Sequence, residues 1–249
     1  MTISAIIHRL SSCSSTNDAA KALAQEGAEE GTIVIADEQT GGRGTKGRTW
    51  HSPPGRGLYA SVILRPRRKD ISLLPLVAGV ACVEAIQEAA GLEVRLKWPN
   101  DIVWKSGKLG GILCEGAFLG SFSSHAVVGI GLNITQRRSD FPAALRRQAT
   151  SLRLAGKKAV DRGTLEACLW RSIERWYGAF RLGKKREIVR AFESKLVFPI
   201  GTRVQVRREG DAIQGVFAGM DTRARLVLIV QGKKTLLSPA EILEIDYND

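Results

Sequence analysis

The spacing of apolar residues changes abruptly at Phe198-Pro199, and this change constrains the fold more than any other feature of the chain. Up to that point, runs typical of buried strands alternate with segments that have the period of a helix. Beyond it, four short strands follow one another at intervals of ~10 residues with turn residues between them, as in a small antiparallel barrel. Pro199 and Gly201 suit a boundary between the two parts. We therefore expect two domains, residues 1–197 and residues 198–249.

The larger part contains both predicted helices and predicted strands, which makes it an α+β domain. A first helix begins near Ser15 or Thr16, either of which is a suitable N-cap. A longer helix is expected from Asp70 or Ser72 to Gly91, a residue that suits a helix C-terminus. Further helices are predicted at 165–180 and 187–196, strands at 32–36, 58–64, 94–98, 102–104, 111–115 and 126–134, and the strands of the smaller part at 204–206, 215–217, 226–230 and 235–237.

Composition is that of an ordinary globular protein. Of the 249 residues, 44% are hydrophobic and 25% are charged. The sequence has no run of ~18 or more apolar residues, the length that a membrane span requires. Residues 1–9 lack the basic start and long apolar core of a secretory signal. We expect a cytoplasmic protein with no membrane partner.

The formal net charge of +12 favours acidic partners and non-specific contact with nucleic acid. The cations are nevertheless spread along the whole chain, with local groups at 65–69 and 184–186. Such a spread is more typical of a solvated surface than of a dedicated nucleic-acid site.

The cysteines and histidines show no metal-binding pattern. The four cysteines lie in apolar or small-residue stretches without Cys-x-x-Cys spacing, so we expect free buried thiols at Cys13, Cys82, Cys114 and Cys168. The three histidines are far apart in the sequence. No protein-bound metal is predicted from these residues.

The segment Gly41–Trp50 combines four glycines with three cations and ends on a tryptophan. Glycines let backbone N–H groups approach an anion, arginine and lysine supply charge, and an indole can stack on a base. The segment matches neither of two well-understood phosphate-binding patterns, Gly-x-x-x-x-Gly-Lys-Ser/Thr and Gly-x-Gly-x-x-Gly. From its own chemistry it is either a clamp for a nucleotide-like ligand or a solvated basic loop, including one that contacts nucleic acid non-specifically.

Three further segments carry similar chemistry. Residues 97–101 place a cation, an amide and a carboxylate at the end of a predicted strand, where α/β folds often bind ligands. Residues 107–111 have the composition of a hairpin turn with one lysine, and residues 129–133 put two glycines inside an apolar strand. Each segment taken alone is more often structural than functional.

Together, and in this order, the segments closely resemble the biotin protein ligases. That family has a Ser-Thr-Asn element, a glutamine before a Gly-Arg-Gly-Arg-x-Gly-Arg-x-Trp loop, and a Lys-Trp-Pro-Asn-Asp block. It also has a Lys-Leu-x-Gly-Ile-Leu-x-Glu strand and a Gly-x-Gly-x-Asn strand. This sequence supplies the matching residues at 15–17, 39, 42–50, 97–101, 108–115 and 129–133. The resemblance runs over nearly the whole chain and implies a mixed-sheet catalytic domain of the biotin/lipoyl ligase type, followed by a small SH3-like β-barrel.

The resemblance implies a two-step ligation. Biotin and ATP give biotinyl-5′-adenylate and pyrophosphate, and the biotinyl group then passes to a lysine of a biotin carboxyl carrier protein. Joining a carboxylate to a phosphate brings two anions together, so cations are needed to offset the charge. Mg²⁺ is expected to arrive with the ATP phosphates rather than on protein ligands.

The resemblance also implies roles for individual residues. The catalytic residues are expected to be Arg43, Lys97, Lys108 and Asp101. Biotin is expected to meet Ser15, Thr16, Asn17, Gln39, Arg43, Gly44, Thr45, Lys108, Gly111, Gly129 and Gly131. ATP and the adenylate are expected to meet Arg43, Lys46, Arg48, Trp50, Asn100 and Asn133.

Thr45 departs from the family pattern, which commonly has arginine at the fourth position of the loop. The family arginine is thought to help hold the adenylate. Its replacement removes a long cation and leaves Lys46 and Arg48 as substitutes. We expect a less firmly held intermediate.

Some family members carry an N-terminal helix-turn-helix domain that represses biotin genes. Here the Ser-Thr-Asn element lies at 15–17, so the sequence predicts a monofunctional ligase without specific DNA binding.

A homodimer is expected because exposed strand edges in the family often pair subunits. Two alternatives remain open at this point: a lipoyl or octanoyl ligase of the same fold, and a basic module that grips nucleic acid.

Overall fold

The computed structural model describes residues 6–119, 122–156 and 160–247 of the chain. Its elements in chain order are β1 (Ile7–Leu10), α1 (Thr16–Gln25), β2 (Ile33–Ala36), β3 (Gly57–Leu64), α2 (Leu74–Ala90), β4 (Arg95–Lys97), β5 (Asp101–Trp104), β6 (Gly107–Leu119), β7 (Phe122–Asn133), α3 (Leu152–Ala155), α4 (Arg162–Arg181), α5 (Lys185–Glu193), β8 (Arg203–Arg208), β9 (Ala212–Met220), β10 (Leu226–Val230), β11 (Lys233–Leu237) and β12 (Ile242–Tyr247). The predicted α+β class with a mixed sheet is confirmed.

A seven-stranded sheet in the order β1-β2-β3-β7-β6-β5-β4 forms the centre of the protein. Strands β1 and β2 are parallel, and every other neighbouring pair is antiparallel. The two longest strands, β6 and β7, pair along most of their length and lie in the middle of the sheet. This pairing places the segments 108–115 and 126–133 of two consecutive strands side by side.

The two faces of this sheet pack against different helices, as the alternating side chains of β7 illustrate. Val128, Ile130 and Leu132 belong to the main apolar core, which includes helices α2, α4 and α5. The residues between them point to the other face, because successive side chains of a strand alternate. On that face α1 packs through Ala20 and Ala24 against a second, smaller apolar cluster.

The helix boundaries refine the sequence prediction. A short 3₁₀ helix spans Arg68–Leu73, so α2 itself begins at Leu74, slightly later than predicted. Gly91 ends α2 in the left-handed conformation at φ 63°, as its position in the sequence predicted. Ser15 is the N-cap residue of α1, but its side chain makes no capping hydrogen bond.

In the described residues, only the segment Arg68–Ala90 is long and apolar enough to cross a membrane. Of its most apolar window, 67% is buried inside the protein, where α2 packs on α4. Its apolar character is therefore accounted for by its place in the core.

The cysteines are all free, but the expectation of burial holds for two of them only. Cys82 and Cys168 are buried in the helical layer. Cys13 and Cys114 are half-buried, which corrects the prediction: Cys13 lies in the connection between β1 and α1, and Cys114 packs against the margin of the main apolar core.

The C-terminal part is a five-stranded antiparallel sheet in the order β11-β10-β9-β8-β12. The four predicted strands are present, and β12 was missed because a register shift near Ile242 interrupts its alternation. The apolar core continues across residue 198, where Phe198 and Phe217 meet edge to face at 5.2 Å. The indole of Trp98 donates to the carbonyl of Ala224 at 3.3 Å and adds a polar contact between the two parts. The division into domains at 197/198 stays a prediction.

Candidate active site

A pocket of about 460 Å³, including its open mouth, lies on the α1 side of the central sheet. Most of the predicted site residues line it, although they come from distant parts of the sequence. The lining consists of Ser15, Thr16, Asn17, Gln39, Arg43, Gly44, Thr45, Trp50, Asn100, Lys108, Gly111, Ile112, Leu113, Gly129, Ile130 and Gly131.

One wall of the pocket is a connected set of polar side chains. The backbone N–H and the hydroxyl of Thr16 donate to Gln39 Oε1 at 2.8 and 3.1 Å. Ser61 Oγ lies 2.8 Å from Thr16 Oγ1 and 2.7 Å from Asn17 Oδ1. Buried polar groups need such partners, and here the bonds fix the orientation of each side chain before any ligand arrives. The sequence prediction missed Ser61, although a lone hydroxyl within the apolar run 58–64 was a usable signal.

The two glycines of β7 make room for the protein's own side chains. A Cβ atom on Gly129 would lie 2.2 Å from Asn17 Oδ1, and one on Gly131 would lie 2.5 Å from Trp50 Nε1. The sequence predicted that something must come close at these positions. Asn17 and Trp50 do so, and contact between biotin and these glycines stays a prediction.

Arg43 is held by two carboxylates. Its Nη2 lies 2.7 Å from Asp18 Oδ1 and 3.2 Å from Glu115 Oε2, and its Nη1 also bonds Asp18. Lys21 bridges the same two acids at 2.9 and 3.1 Å. The hydrogen bond from Arg43 lowers the pKa of Asp18 to about 2. The four groups therefore form a cluster with no net charge, built around the first arginine of the glycine-rich loop.

Lys108 is paired in the same way. Its Nζ lies 2.7 Å from Asp101 Oδ1 and 5.6 Å from the centre of the Trp50 ring. Asn100 donates to the carbonyl of Ile112 at 2.8 Å, which ties the turn after β4 to β6. The two cations predicted to meet carboxylate and phosphate thus face one pocket, and each rests on an internal acid.

The indole N–H of Trp50 has no hydrogen-bond partner among these contacts. Its indole Nε1 is buried, and among the described residues no acceptor lies within hydrogen-bond distance. A buried donor without a partner is costly, so the indole is suited to a ligand or a water molecule in the pocket.

The remaining predicted residues lie outside the pocket lining. Lys97 pairs with Asp101 in the β4–β5 register, and Arg48 is exposed. Lys46, at φ 58°, donates to the carbonyl of Ile242 in β12. Asn133 is buried, and its amide donates to the carbonyl of Thr150 at 2.9 Å and accepts from Gln136 at 3.0 Å. The roles assigned to Lys46, Arg48, Lys97, Asp101 and Asn133 stay predictions.

Comparison with known proteins identifies this architecture. The profile of the Biotin/lipoate A/B protein ligase family matches residues 10–133. The biotin--[acetyl-CoA-carboxylase] ligase of Mycobacterium tuberculosis is 31% identical over 243 residues, which are 93% of this chain and 86% of that protein. The bifunctional ligase/repressor BirA of Bacillus subtilis is 38% identical over 220 residues, and the match covers 86% of this chain and 66% of that protein.

A solved structure agrees with these relatives. The biotin protein ligase from Aquifex aeolicus in complex with biotin and ATP superposes with a TM-score of 0.83 at 28% identity, over 98% of this chain and 100% of that chain. Fold and site together define a protein ligase of the biotin/lipoate type. Within that class, this chain belongs to the biotin protein ligase family.

The pairing of Arg43 leads to a prediction for Asp18→Asn. Removing this carboxylate frees half of the guanidinium fork, and an exposed ion pair is worth up to about 1 kcal/mol, so biotin should bind up to about five-fold more tightly. Because the pKa of Asp18 is lowered from 3.8 to about 2, the pair is complete above pH 4 and is lost only in strong acid. The gain should therefore be the same at every pH from about 5 to 8.

Isothermal titration with biotin measures the effect. Glu26→Gln is the matched control, since it removes one acid from the exposed C-terminal end of α1, away from Arg43. Unchanged or weaker binding in Asp18→Asn, relative to this control, would contradict the prediction.

Proposed function

We propose that the protein activates biotin with ATP and attaches it to a carrier protein. In the first step a biotin carboxylate oxygen attacks the α-phosphorus of ATP, forming biotinyl-5′-adenylate and releasing pyrophosphate. In the second step a lysine amine of a biotin carboxyl carrier protein attacks the activated carbonyl carbon, forming an amide and releasing AMP. The acceptor belongs to a biotin-dependent carboxylase.

The observation that carries this proposal is the convergence of two cations and a polar wall on one pocket. Arg43 and Lys108 face it from different strands and loops, while Thr16, Asn17 and Gln39 present fixed polar groups. Polar groups fixed in advance suit the ring of a small ligand, and cations suit the charge that develops between carboxylate and phosphate. The complex of the Aquifex aeolicus relative with biotin and ATP supports the same ligands here.

Both cations are paired with internal acids before the substrates bind. Arg43 rests on Asp18 and Glu115, and Lys108 rests on Asp101. An incoming carboxylate or phosphate would replace one of these acids at each cation. We propose that this exchange offsets the repulsion between the two substrate anions as they are brought together.

Mg²⁺ is proposed to enter with the phosphates of ATP. The carboxylates nearest the pocket, Asp18, Glu115 and Asp101, are each bonded to a cation. Within the described ranges, no three Asp, Glu, His or Cys side chains are grouped closely enough to hold a metal ion. When bound, the ion would neutralise phosphate charge and favour departure of pyrophosphate.

Pyrophosphate release tests the first step. We expect release from ATP with biotin and none above background with lipoate, octanoate or no acid. Transfer is then followed by mass spectrometry of a carrier domain and of its Lys→Arg variant at the acceptor position. Release with lipoate or octanoate in preference to biotin would replace the proposal with a lipoyl-type activity.

Thr45→Arg is predicted to retain the intermediate more firmly. Thr45 lines the pocket at the start of a short 3₁₀ turn in the loop, so an arginine there would add a cation to the wall that we propose for the adenylate. One charge-assisted hydrogen bond is worth about 1.5–3 kcal/mol, which corresponds to roughly ten-fold or more slower escape of biotinyl-adenylate. Thr45→Gln, a long neutral side chain, is the control. Equal escape from the wild type and Thr45→Arg would refute this prediction.

Three further expectations belong to the proposal. The protein is expected to be cytoplasmic, to bind no specific DNA sequence and to form a homodimer. Light scattering of the purified protein checks the dimer, and a mobility shift with a biotin-operator duplex against a scrambled duplex checks DNA binding.

A further inference from the structure

Six arginines form an exposed group beside the pocket, on the turn before β3 and on the segment from β7 through α3. We call this group the arginine surface; it consists of Arg56, Arg137, Arg138, Arg146, Arg147 and Arg153, and every member is exposed. Residues 134–153 contain five arginines and a single acid, Asp140. The segment is therefore strongly basic, as is the stretch 40–69, which holds eight cations including Arg56 and no acid.

Main-chain hydrogen bonds hold the group together in space. The carbonyl of Arg56 accepts from the backbone N–H of Thr135 at 2.8 Å. The backbone N–H of Arg153 donates to the carbonyl of Ile134 at 2.8 Å. The backbones of Arg56 and Arg153 are therefore fixed on either side of the chain that leaves β7, although the two residues are 97 positions apart in the sequence.

Asp140 offsets only part of this charge, since it is one acid among six arginines. Its carboxylate accepts the backbone N–H of Arg137 at 2.8 Å, and this bond, together with the charges of Arg56, Arg137 and Arg153, lowers the pKa of Asp140. Within the residues that the structure describes, no ion pair is formed by the side chains of Arg56, Arg137, Arg147 and Arg153. These guanidinium groups face solvent and are available to a partner.

The arginine surface adjoins the pocket through Lys108. The backbone N–H of Lys108 donates to the carbonyl of Gln148 at 2.7 Å, and its carbonyl accepts from Thr150 at 2.9 Å. Arg138 Nη1 lies 2.8 Å from the carbonyl of Ala149, the residue between them. A macromolecule resting on the arginine surface would therefore stand next to the side of the pocket that carries Lys108.

We propose that the arginine surface docks the acceptor protein by binding an acidic face that surrounds its target lysine. The inference rests on the proposed function, because that function requires an acceptor lysine to reach the pocket. Exposed charges at the rim of such an interface raise the association rate and set orientation more than they lower the energy of the bound state. Acidic residues around the acceptor lysine would bring its amine toward the pocket while the rim arginines hold the rest of the domain.

A protein fits this surface better than a nucleic acid does. Single-stranded nucleic acids bind through cationic grooves together with aromatic side chains on which bases stack. The exposed large apolar side chains of the described chain are all aliphatic, and Phe141, the aromatic residue of the segment, is buried. The arginine surface thus offers charge without stacking partners.

The test compares two triple variants of the full chain. The first is Arg137→Gln, Arg147→Gln and Arg153→Gln. The control is Lys69→Gln, Arg186→Gln and Arg190→Gln, which removes the same charge from exposed residues on the helical side of the protein. For each, KM and kcat are measured with a recombinant biotin carrier domain, and adenylate formation is measured separately as biotin-dependent pyrophosphate exchange.

We expect the first variant to raise the KM for the carrier about five- to ten-fold at low salt, with kcat and pyrophosphate exchange within about two-fold of the wild type. The control should leave the KM within about two-fold. For the wild type, kcat/KM for the carrier should fall steeply between about 25 and 300 mM NaCl, and the first variant should show a shallower fall. Replacing the acids near the carrier lysine by amides should reproduce the higher KM.

Several results would overturn the inference. Equal rises in KM for both triple variants would assign the effect to total charge. An unchanged KM for the carrier in the first variant would rule out the docking role. A wild-type rate that is insensitive to salt would also rule it out, and this second measurement does not depend on how well any variant folds. Loss of binding to a fluorescent oligonucleotide with unchanged carrier KM would make the surface a nucleic-acid site. Absence of biotin-dependent pyrophosphate exchange in the wild type would instead overturn the proposed function itself.

Discussion

Lys108→Ala is expected to slow biotinyl-adenylate formation by about 100- to 1,000-fold, the cost of removing one preorganised donor from developing charge. Lys108 faces the pocket from the start of β6, and Asp101 holds its Nζ at 2.7 Å. The backbone N–H and carbonyl of Lys108 are both hydrogen-bonded to the segment 148–150, so the backbone from which the ammonium group extends is fixed in position. Without it, Asp101 would also be left as an unpaired negative charge beside two anionic substrates.

Single-turnover measurement of adenylate formation checks this result. Lys108→Arg keeps a cation on a similar stem and should recover part of the rate. Lys234→Ala, an exposed lysine of β11 at the edge of the small sheet, serves as the control and should have no effect. A rate for Lys108→Ala within ten-fold of the wild type would mean that the charge is offset elsewhere.

Gly131→Ala is the second substitution expected to have a large effect. Its Cβ would lie 2.5 Å from Trp50 Nε1 and 2.6 Å from Trp50 Cε2, far inside van der Waals contact. Because β7 is held on both sides by β3 and β6, the indole rather than the strand has to move. We expect a loss of stability of about 1–3 kcal/mol, as for other overpacked sites, and at least about ten-fold weaker ATP binding.

A second variant separates the clash from a general defect. In the double variant Gly131→Ala, Trp50→Ala the added methyl group has room, so the two destabilisations should not add. Gly178→Ala, in α4 with open space around its Cβ position, is the control and should stabilise the protein by about 0.5–1 kcal/mol. Thermal unfolding gives the stabilities, and titration with ATP gives the affinities. Strict additivity of the two substitutions would show that Trp50 is not what Gly131 accommodates.

Much of the fold was readable because its elements are locally determined. Gly91 marks the end of α2, and the apolar runs 58–64 and 126–134 correspond to the buried strands β3 and β7. Strand β12 was missed because its register shift breaks the alternation that identifies a strand. The start of α2 was placed too early because the 3₁₀ turn before it has helical spacing as well.

The candidate site could be predicted as a set of residues but not as a set of contacts. Asp18 had the position of a favourable first-turn acid, yet in the structure it binds Arg43, 25 residues away. Ser61 was hidden in an apolar strand, and nothing in the sequence indicated that the side chain of Asn133 bonds Thr150. Hydrogen-bond partners of this kind depend on side-chain directions that the spacing of residues does not contain.

The sequence by itself determined the family, the α+β class and the identity of most pocket residues, because motif order and local periodicity are properties of the chain. Only the tertiary structure decided what those residues do to one another. It placed Asn17 and Trp50 over the glycines of β7, paired Arg43 and Lys108 with internal acids, and gathered Arg56 and Arg153 beside the pocket. The physical reason is that steric fit and electrostatic pairing act over a few ångströms in space, whatever the separation along the chain.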